Sequence, residues 1–363
     1  MSDKTKIEWT DATWNPVTGC TKVSEGCDHC YAETIAHRFA GTAAYPNGFD
    51  VTLRPERLDQ PLRWKRPRRI FINSMSDLFH KDVPDEYIAR VFAVMALAPQ
   101  HTFQILTKRP GRMRSLLSSD RFGQEVDHQI HGLWMTGRIT WQHAAEVAPL
   151  PLPNVWLGTS VESQKWADVR IPPLMETPAA VRFLSVEPML GPVELTHLHS
   201  HCPTHDFAGG FCSGPCPDRR WPDWVIVGGE SGPHARPMHP DWARSLRDQC
   251  TAAGIAFHFK QWGEWLTGPA AIGLDHSRVP RDIHRFADGL AAGRVGKRAA
   301  GRVLDGRTWD EYPLDTPAPA EPTEPILRPT DQRAMGGFVD SAKLYIIGDG
   351  TETLIPPAGR PGL

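Results

Sequence analysis

The sequence has 363 residues, of which 40% are hydrophobic and 23% charged, proportions that suit one large globular domain with attachments, or two domains. A formal net charge of −2 excludes a global electrostatic footprint for nucleic acid, so any such footprint must be local. No apolar run reaches the roughly 18 residues of a membrane span, and "MSDKTKIEWTDATW" lacks the apolar stretch of a signal peptide, so a cytoplasmic protein without a membrane partner is expected.

In chain order, "WNPVTGC" (14–20) is predicted as the first strand and "YAETIAHRF" (31–39) as the first helix, with Cys20, Cys27 and Cys30 on the loop that joins them. "RWKRPRR" (63–69) holds five basic residues in seven; it reads either as a solvated loop before a strand or as a phosphate-contacting patch. Near-continuous apolar runs then predict six further strands within 69–79, 102–110, 154–163, 181–190, 223–232 and 255–265. Helical spacing joins Ile88, Val91, Phe92 and Met95 within 84–99, and Trp242, Leu246 and a buried Cys250 within 239–254. Two insertions interrupt this rhythm: an irregular, partly helical one at 111–153 and a Cys/His-rich one at 196–222.

Strand–helix alternation over 1–268 predicts an α/β fold, a partial (β/α) barrel or an open sheet with right-handed crossovers. Residues 269–313 read as an irregular, basic and aromatic extension, 314–330 as a proline-rich linker, and 331–363 as a tail with a hairpin at 343–357.

In parallel α/β folds, functional groups gather where the strands end. Here those ends carry Asn73, Ser74, Ser76 and Asp77, then Thr107 and Lys108, then Thr159, Ser160 and Glu162. Ser185 and Glu187, Glu230 and Ser231, and Lys260 and Gln261 complete the set. Glu187, Glu230 and Lys260 directly follow or interrupt apolar strands, which makes them the candidate catalytic groups. Most of the thirteen tryptophans read as core, although "KQWGEW" has the composition of a base-stacking platform.

Seven cysteines, an odd number, fit a disulfide framework poorly and a reducing compartment well. The first three form C-x6-C-x2-C. By spacing alone they could bind zinc with His29 or His37 as fourth ligand, bind three irons of a [4Fe–4S] cluster and leave the fourth open, or stay unliganded. Cys202, Cys212 and Cys216 with a nearby histidine such as His199 form a second candidate site, either a structural zinc or a second cluster.

The position of the first triad, on a strand–helix loop, resembles the cluster loop of radical S-adenosylmethionine (SAM) enzymes. Those usually space their cysteines C-x3-C-x2-C with an aromatic residue before the last; here the first spacing is six and His29 fills the aromatic place. The strings "NSMSDLFH", "ILTKRP", "NVWLGTSVE", "RFLSVEPML", "DWVIVGGESGPHARPMHPDW", "FKQWGEW" and "GRVLDGRTWDE" are similar to a phage- and bacteria-associated three-Cys-motif family of unassigned function, distantly related to radical SAM enzymes. The resemblance spans about residues 5–313.

It implies a barrel of radical SAM type, with Cys20, Cys27 and Cys30 on a [4Fe–4S] cluster and SAM on the open iron. A 5′-deoxyadenosyl radical would then form, with a reductant such as flavodoxin or ferredoxin as electron donor. Ser74, Ser76 and Asp77 stand where such enzymes meet the SAM amino group; Lys108, Ser160, Glu162 and Ser185 would contact cofactor or substrate. The Arg63–Arg69 and Lys297–Arg307 stretches point to nucleic acid or a nucleotide as substrate. The alternative is a zinc-stabilised nucleic-acid-binding module without catalysis. A zinc hydrolase with Glu187 or Glu230 as base lacks an HExxH-like helix.

Overall fold

The structure, a computed structural model, describes residues 5, 7–145, 147–195, 221–268 and 282–313. Strand β1 (Ala12–Trp14) is followed by a short antiparallel pair, β2 (Val17–Thr18) and β3 (Thr52–Leu53), which brackets the cysteine loop and helix α1 (Tyr31–Arg38). The chain continues through β4 (Arg69–Ile72), α2 (Asp85–Ala96), β5 (Thr102–Thr107), α3 (Pro110–Leu117), α4 (Asp120–Met135) and α5 (Trp141–Ala145). Next come β6 (Val155–Ser160), α6 (Gln164–Met175), β7 (Val181–Val186), β8 (Trp224–Gly228), α7 (Pro240–Ala253) and β9 (Ala256–Gln261). A small sheet of β10 (Trp265–Thr267), β11 (Ile283–Arg285) and β12 (Ala291–Arg294), then the short helix α8 (Lys297–Ala300), close the described chain.

Seven strands pair in the order β1-β4-β5-β6-β7-β8-β9, every pair parallel, and curl into a half-barrel flanked by helices. Alternation along each strand splits the core in two. Ile70, Ile72, Phe103, Ile105, Leu157, Leu184, Val225 and Phe259 belong to the large cluster shared with the helices. Phe71, Trp156, Phe183, Trp224 and Ile226 face the other way, into the concave side, and pack around Trp9. Both faces being apolar is what makes these strands read as continuous hydrophobic runs.

The open side of the curl is plugged rather than closed by strands. Trp9, just before β1, lies with ring centroids 4.7 Å from Phe71 and 6.1 Å from Trp224. From the far end Tyr312 stacks 5.1 Å from Trp224, while the Arg69 guanidinium sits 4.3 Å above the Tyr312 ring. The segment leading to Tyr312 also covers the free edge of β9: Phe259 N–H donates to the Trp309 carbonyl (2.9 Å) and Glu311 N–H to the Phe257 carbonyl (3.3 Å). An exposed strand edge is thereby removed.

Two expectations are corrected. The first sheet strand is Ala12–Trp14, because Pro16 cannot donate to a ladder and Val17–Thr18 leaves to pair with β3. Residues 111–153 are largely helical: α4 packs on α2 through a T-shaped Phe92–Phe122 contact at 5.2 Å, and Ser119 caps α4 by accepting from Phe122 N–H. Helix α6 forms despite Pro172 and Pro173, which fall in its later turns. The Arg63–Arg69 stretch precedes β4, so it lies at the edge of the sheet opposite the strands' C-terminal ends. Cys250 is fully buried on α7, as its helical spacing implied.

Candidate functional site

Three thiols stand at the C-terminal mouth of the half-barrel. Gly19 N–H donates to the Met75 carbonyl (3.0 Å) beyond β4, and Cys20 N–H to the Phe49 carbonyl (3.1 Å), fixing the first cysteine beside the sheet. Cys27 ends a 3-10 turn, Glu25–Cys27, and Cys30 is the residue before α1. All three thiols are free and half-buried. Burial pushes the Cys20 thiol up to about 11, with the Asp77 carboxylate adding to it and the Arg109 guanidinium opposing. Burial also raises the Cys30 thiol. A metal would have to displace these protons, as metal–thiolate sites do.

Neither histidine proposed as a fourth ligand turns to the sulfurs. His29 Nδ1 lies 3.2 Å from Glu230 Oε1 and its ring stacks 5.7 Å from His234; His37, on α1, approaches Glu33 at 3.9 Å. Among the described residues no group of three or more His, Cys, Asp or Glu side chains is placed to hold one metal ion.

Each of three buried carboxylates ties a different part of the cysteine loop to a different strand end. Glu162, just after β6 and without solvent exposure, accepts from Ser24 Oγ (3.0 Å) and Arg170 NH1 (2.8 Å) and pairs with Lys108. Gly26 sits so close above it that a Cβ would overlap the Glu162 side chain. Asp77, after β4, accepts from Thr107 Oγ1 (2.7 Å), Phe79 N–H (3.0 Å), Lys108 N–H (3.0 Å) and Arg109 NH1 (2.8 Å). Glu230, after β8, takes Arg236 through Nε (2.9 Å), NH2 (2.7 Å) and the backbone N–H (2.7 Å).

Arg236 in turn reaches the loop, donating to the Glu25 carbonyl (2.8 Å) and to Asp28 Oδ2 (3.3 Å). Burial would raise the Glu230 carboxyl, but the Arg236 and His29 hydrogen bonds hold it below the usual carboxylate range. Glu25 is fastened to α6: its carboxylate accepts from Trp166 Nε1 (2.6 Å) and Ser163 Oγ (3.1 Å).

The other expected site residues divide. Ser160 and Ser185 are Cα partners in the β6–β7 ladder, so both point into the concave side, and neither hydroxyl has a hydrogen-bond partner among the described residues. Lys260 Nζ donates to Glu187 Oε1 at 2.6 Å, placing a cation–carboxylate pair near the mouth. Ser74 and Ser76 are spent on the fold: Ser74 Oγ bonds Asn15 Oδ1 (3.3 Å), and Ser76 Oγ donates to the Val17 carbonyl (2.9 Å). Thr159 Oγ1 likewise donates to the Thr107 carbonyl (2.9 Å), and Gln261 Nε2 to Ser231 Oγ (2.9 Å). Asn73, at φ 58°, accepts from Val17 N–H through Oδ1 (3.3 Å), and its buried Nδ2 has no hydrogen-bond partner among the described residues. The Gly228-Gly229 pair serves packing, since a Cβ at Gly229 would collide with the Trp262 carbonyl.

Sequence reasoning missed Arg109, Arg170, Arg236 and Tyr31. Tyr31 is 54% exposed beside Cys30 and its hydroxyl donates to the Ser74 carbonyl at 2.5 Å. The available signal for Arg109 was a second cation directly after Lys108 at a strand end. Trp262 and Trp265 are tied to the fold by their ring edges: their Nε1 groups donate to Val303 and Ala235 carbonyls at 2.9 and 2.6 Å. Of the Lys297–Arg307 cations, Arg302 pairs with Asp310 and Arg307 stacks 3.4 Å over Trp309. Cys202, Cys212, Cys216 and His199, the linker and the tail hairpin lie outside the described residues.

Among the described residues no helix is long and apolar enough to cross a membrane. A family described as a protein of unknown function, DUF5131, matches residues 4–313, nearly the span over which the strings resemble a family of unassigned function. No curated protein and no solved structure matches the chain.

Proposed function

The chain belongs to the DUF5131 family, and from the geometry of its mouth we propose that it is a radical SAM enzyme whose Cys20, Cys27 and Cys30 hold a [4Fe–4S] cluster. One observation carries the reading: three free thiols, with no fourth donor beside them among the described residues, follow the first strand at the C-terminal mouth of a parallel half-barrel. Three thiols on one loop can bind three irons of a [4Fe–4S] cluster and leave the fourth iron open to a small molecule. The zinc-module alternative needs four donors around one ion, whereas His29 and His37 both turn to carboxylates.

Cys20, Cys27 and Cys30 would hold the cluster, which, once reduced by an external donor such as flavodoxin or ferredoxin, would supply the one-electron chemistry that cleaves SAM. The chain's own residues fit a polar cofactor in the concave space. Among the described residues Asn73 Nδ2 is a buried donor without a hydrogen-bond partner, and Ser160 and Ser185 point into the concave side. Lys260 and Glu187 offer one charge of each sign to a substrate. The aromatic floor of Trp9, Phe183 and Trp224 excludes water from below. Arg63–Arg69 does not face this mouth, so the substrate class rests on the concave groups rather than on the basic patch.

The test is anaerobic reconstitution followed by reduction in the presence of SAM. The expected result is iron and sulfide near four each per chain, with release of 5′-deoxyadenosine. Cys20→Ala, Cys27→Ala and Cys30→Ala should abolish both, and Cys212→Ala neither. Zinc without iron in the reconstituted wild type would sink the proposal.

A further inference from the structure

Resting on that reading, we propose that Arg109 is a positioning residue that raises the reduction potential of the centre held by Cys20, by presenting a fixed guanidinium to the cysteine sulfur. Arg109 NH1 lies 3.5 Å from Cys20 Sγ while also donating to Asp77 Oδ2 at 2.8 Å. Its NH2 holds the next residue, donating to the Thr21 carbonyl (3.0 Å) and Thr21 Oγ1 (3.1 Å). Thr21 Oγ1 is in turn 2.8 Å from Nε2 of the fully buried His80. One side chain thus grips both the thiol and the backbone that carries it.

The cation is not free to swing away. Asp77 and Arg109 side chains are only 7% and 15% exposed, and the remaining acceptor capacity of Asp77 is filled by Thr107, Phe79 and Lys108. Withdrawing Arg109 would strand a buried carboxylate, which is costly. A guanidinium also keeps its charge across the working pH range, so its influence on the sulfur is constant. Reduction adds negative charge to a metal–thiolate centre, and a nearby cation or a hydrogen bond to the sulfur favours the reduced form. The arrangement is asymmetric: among the described residues the hydrogen-bond neighbour of Cys27 Sγ is Ser24 Oγ, at 3.9 Å, and the Arg170 guanidinium that acts on Cys27 through space is bonded to Glu162 instead.

The experiment compares wild type, Arg109→Gln and Arg109→Lys after anaerobic reconstitution, reading iron content and the midpoint potential by electron paramagnetic resonance (EPR) redox titration. Iron content should be equal in all three. Arg109→Gln should shift the reduction equilibrium at least tenfold toward the oxidised centre, about 59 mV for a one-electron couple. Arg109→Lys, which keeps the charge but loses the fork, should fall between. A full cluster with an unchanged midpoint in Arg109→Gln overturns this proposal alone. A wild type that assembles no cluster overturns it together with the reading it rests on. If Arg109→Gln loses its iron, the Arg109→Lys midpoint decides, and a value equal to wild type overturns the proposal.

Discussion

Glu162→Gln should destabilise the protein by about 3–5 kcal/mol, the usual cost of removing one partner from a buried ion pair. The magnitude follows from what the carboxylate touches. Its side chain has no solvent exposure, and Arg170, 2.8 Å away, is only 2% exposed. Burial already pushes the Arg170 guanidinium below its ordinary range, and Glu162 is the charge that opposes this. Arg170 NH2 has no hydrogen-bond partner among the described residues, so no nearby acceptor stands ready to replace Glu162. A glutamine keeps the shape but turns an N–H₂ toward either Arg170 or Lys108, donor against donor.

Urea unfolding followed by tryptophan fluorescence measures the loss. Adding Arg170→Met to the variant should recover part of it, since the stranded cation is then gone. A Glu162→Gln curve within about 0.5 kcal/mol of wild type would refute the claim that this carboxylate fastens the cysteine loop to β6.

Burial lowers both His101 and His258 to about 4, against a slight opposing hydrogen bond from His101 to the Pro61 carbonyl. Between the unfolded value near 6.5 and about 4, the unfolded chain binds protons that the folded chain does not. Stability is therefore full above that window and falls as pH drops through it, by up to about 3 kcal/mol per histidine. His258→Phe should flatten the dependence of the urea midpoint on pH, and an unchanged profile would contradict the assignment. Gly26→Ala should cost about 1–3 kcal/mol, because its methyl group would be forced into the Glu162 side chain; a wild-type melting curve would show that the loop stands further from β6. Arg236→Gln should speed amide hydrogen exchange at residues 25–28, whose carbonyl and carboxylate it holds, while leaving α2 unchanged. Equal exchange in both proteins would remove Arg236 from the loop's anchorage.

The strands were the legible part of this fold. Six of the seven lie inside the predicted windows, because a parallel strand buried on both faces leaves an uninterrupted apolar run. The exception shows the limit: Ala12–Trp14 is three residues long, and the residues after it belong to another pair. Helix α6 has no counterpart among the predicted elements; it carries Pro172 and Pro173 in its later turns, and proline is a weak helix signal. The cysteines and the carboxylates at strand ends announced themselves by position. Their partners did not: Arg170 meets Glu162 through a helix the sequence did not reveal, and Arg236 reaches Glu25 across about two hundred positions. The Ser74 and Ser76 hydroxyls bond Asn15 Oδ1 and the Val17 carbonyl, partners that a sequence pattern cannot register.

The most direct test of the central claim is the EPR spectrum of the reduced, reconstituted protein before and after SAM is added. A reduced [4Fe–4S] signal whose line shape changes on adding SAM is expected, and its loss in Cys20→Ala, Cys27→Ala and Cys30→Ala. A spectrum indifferent to SAM, or a centre that persists without these three thiols, would contradict the account.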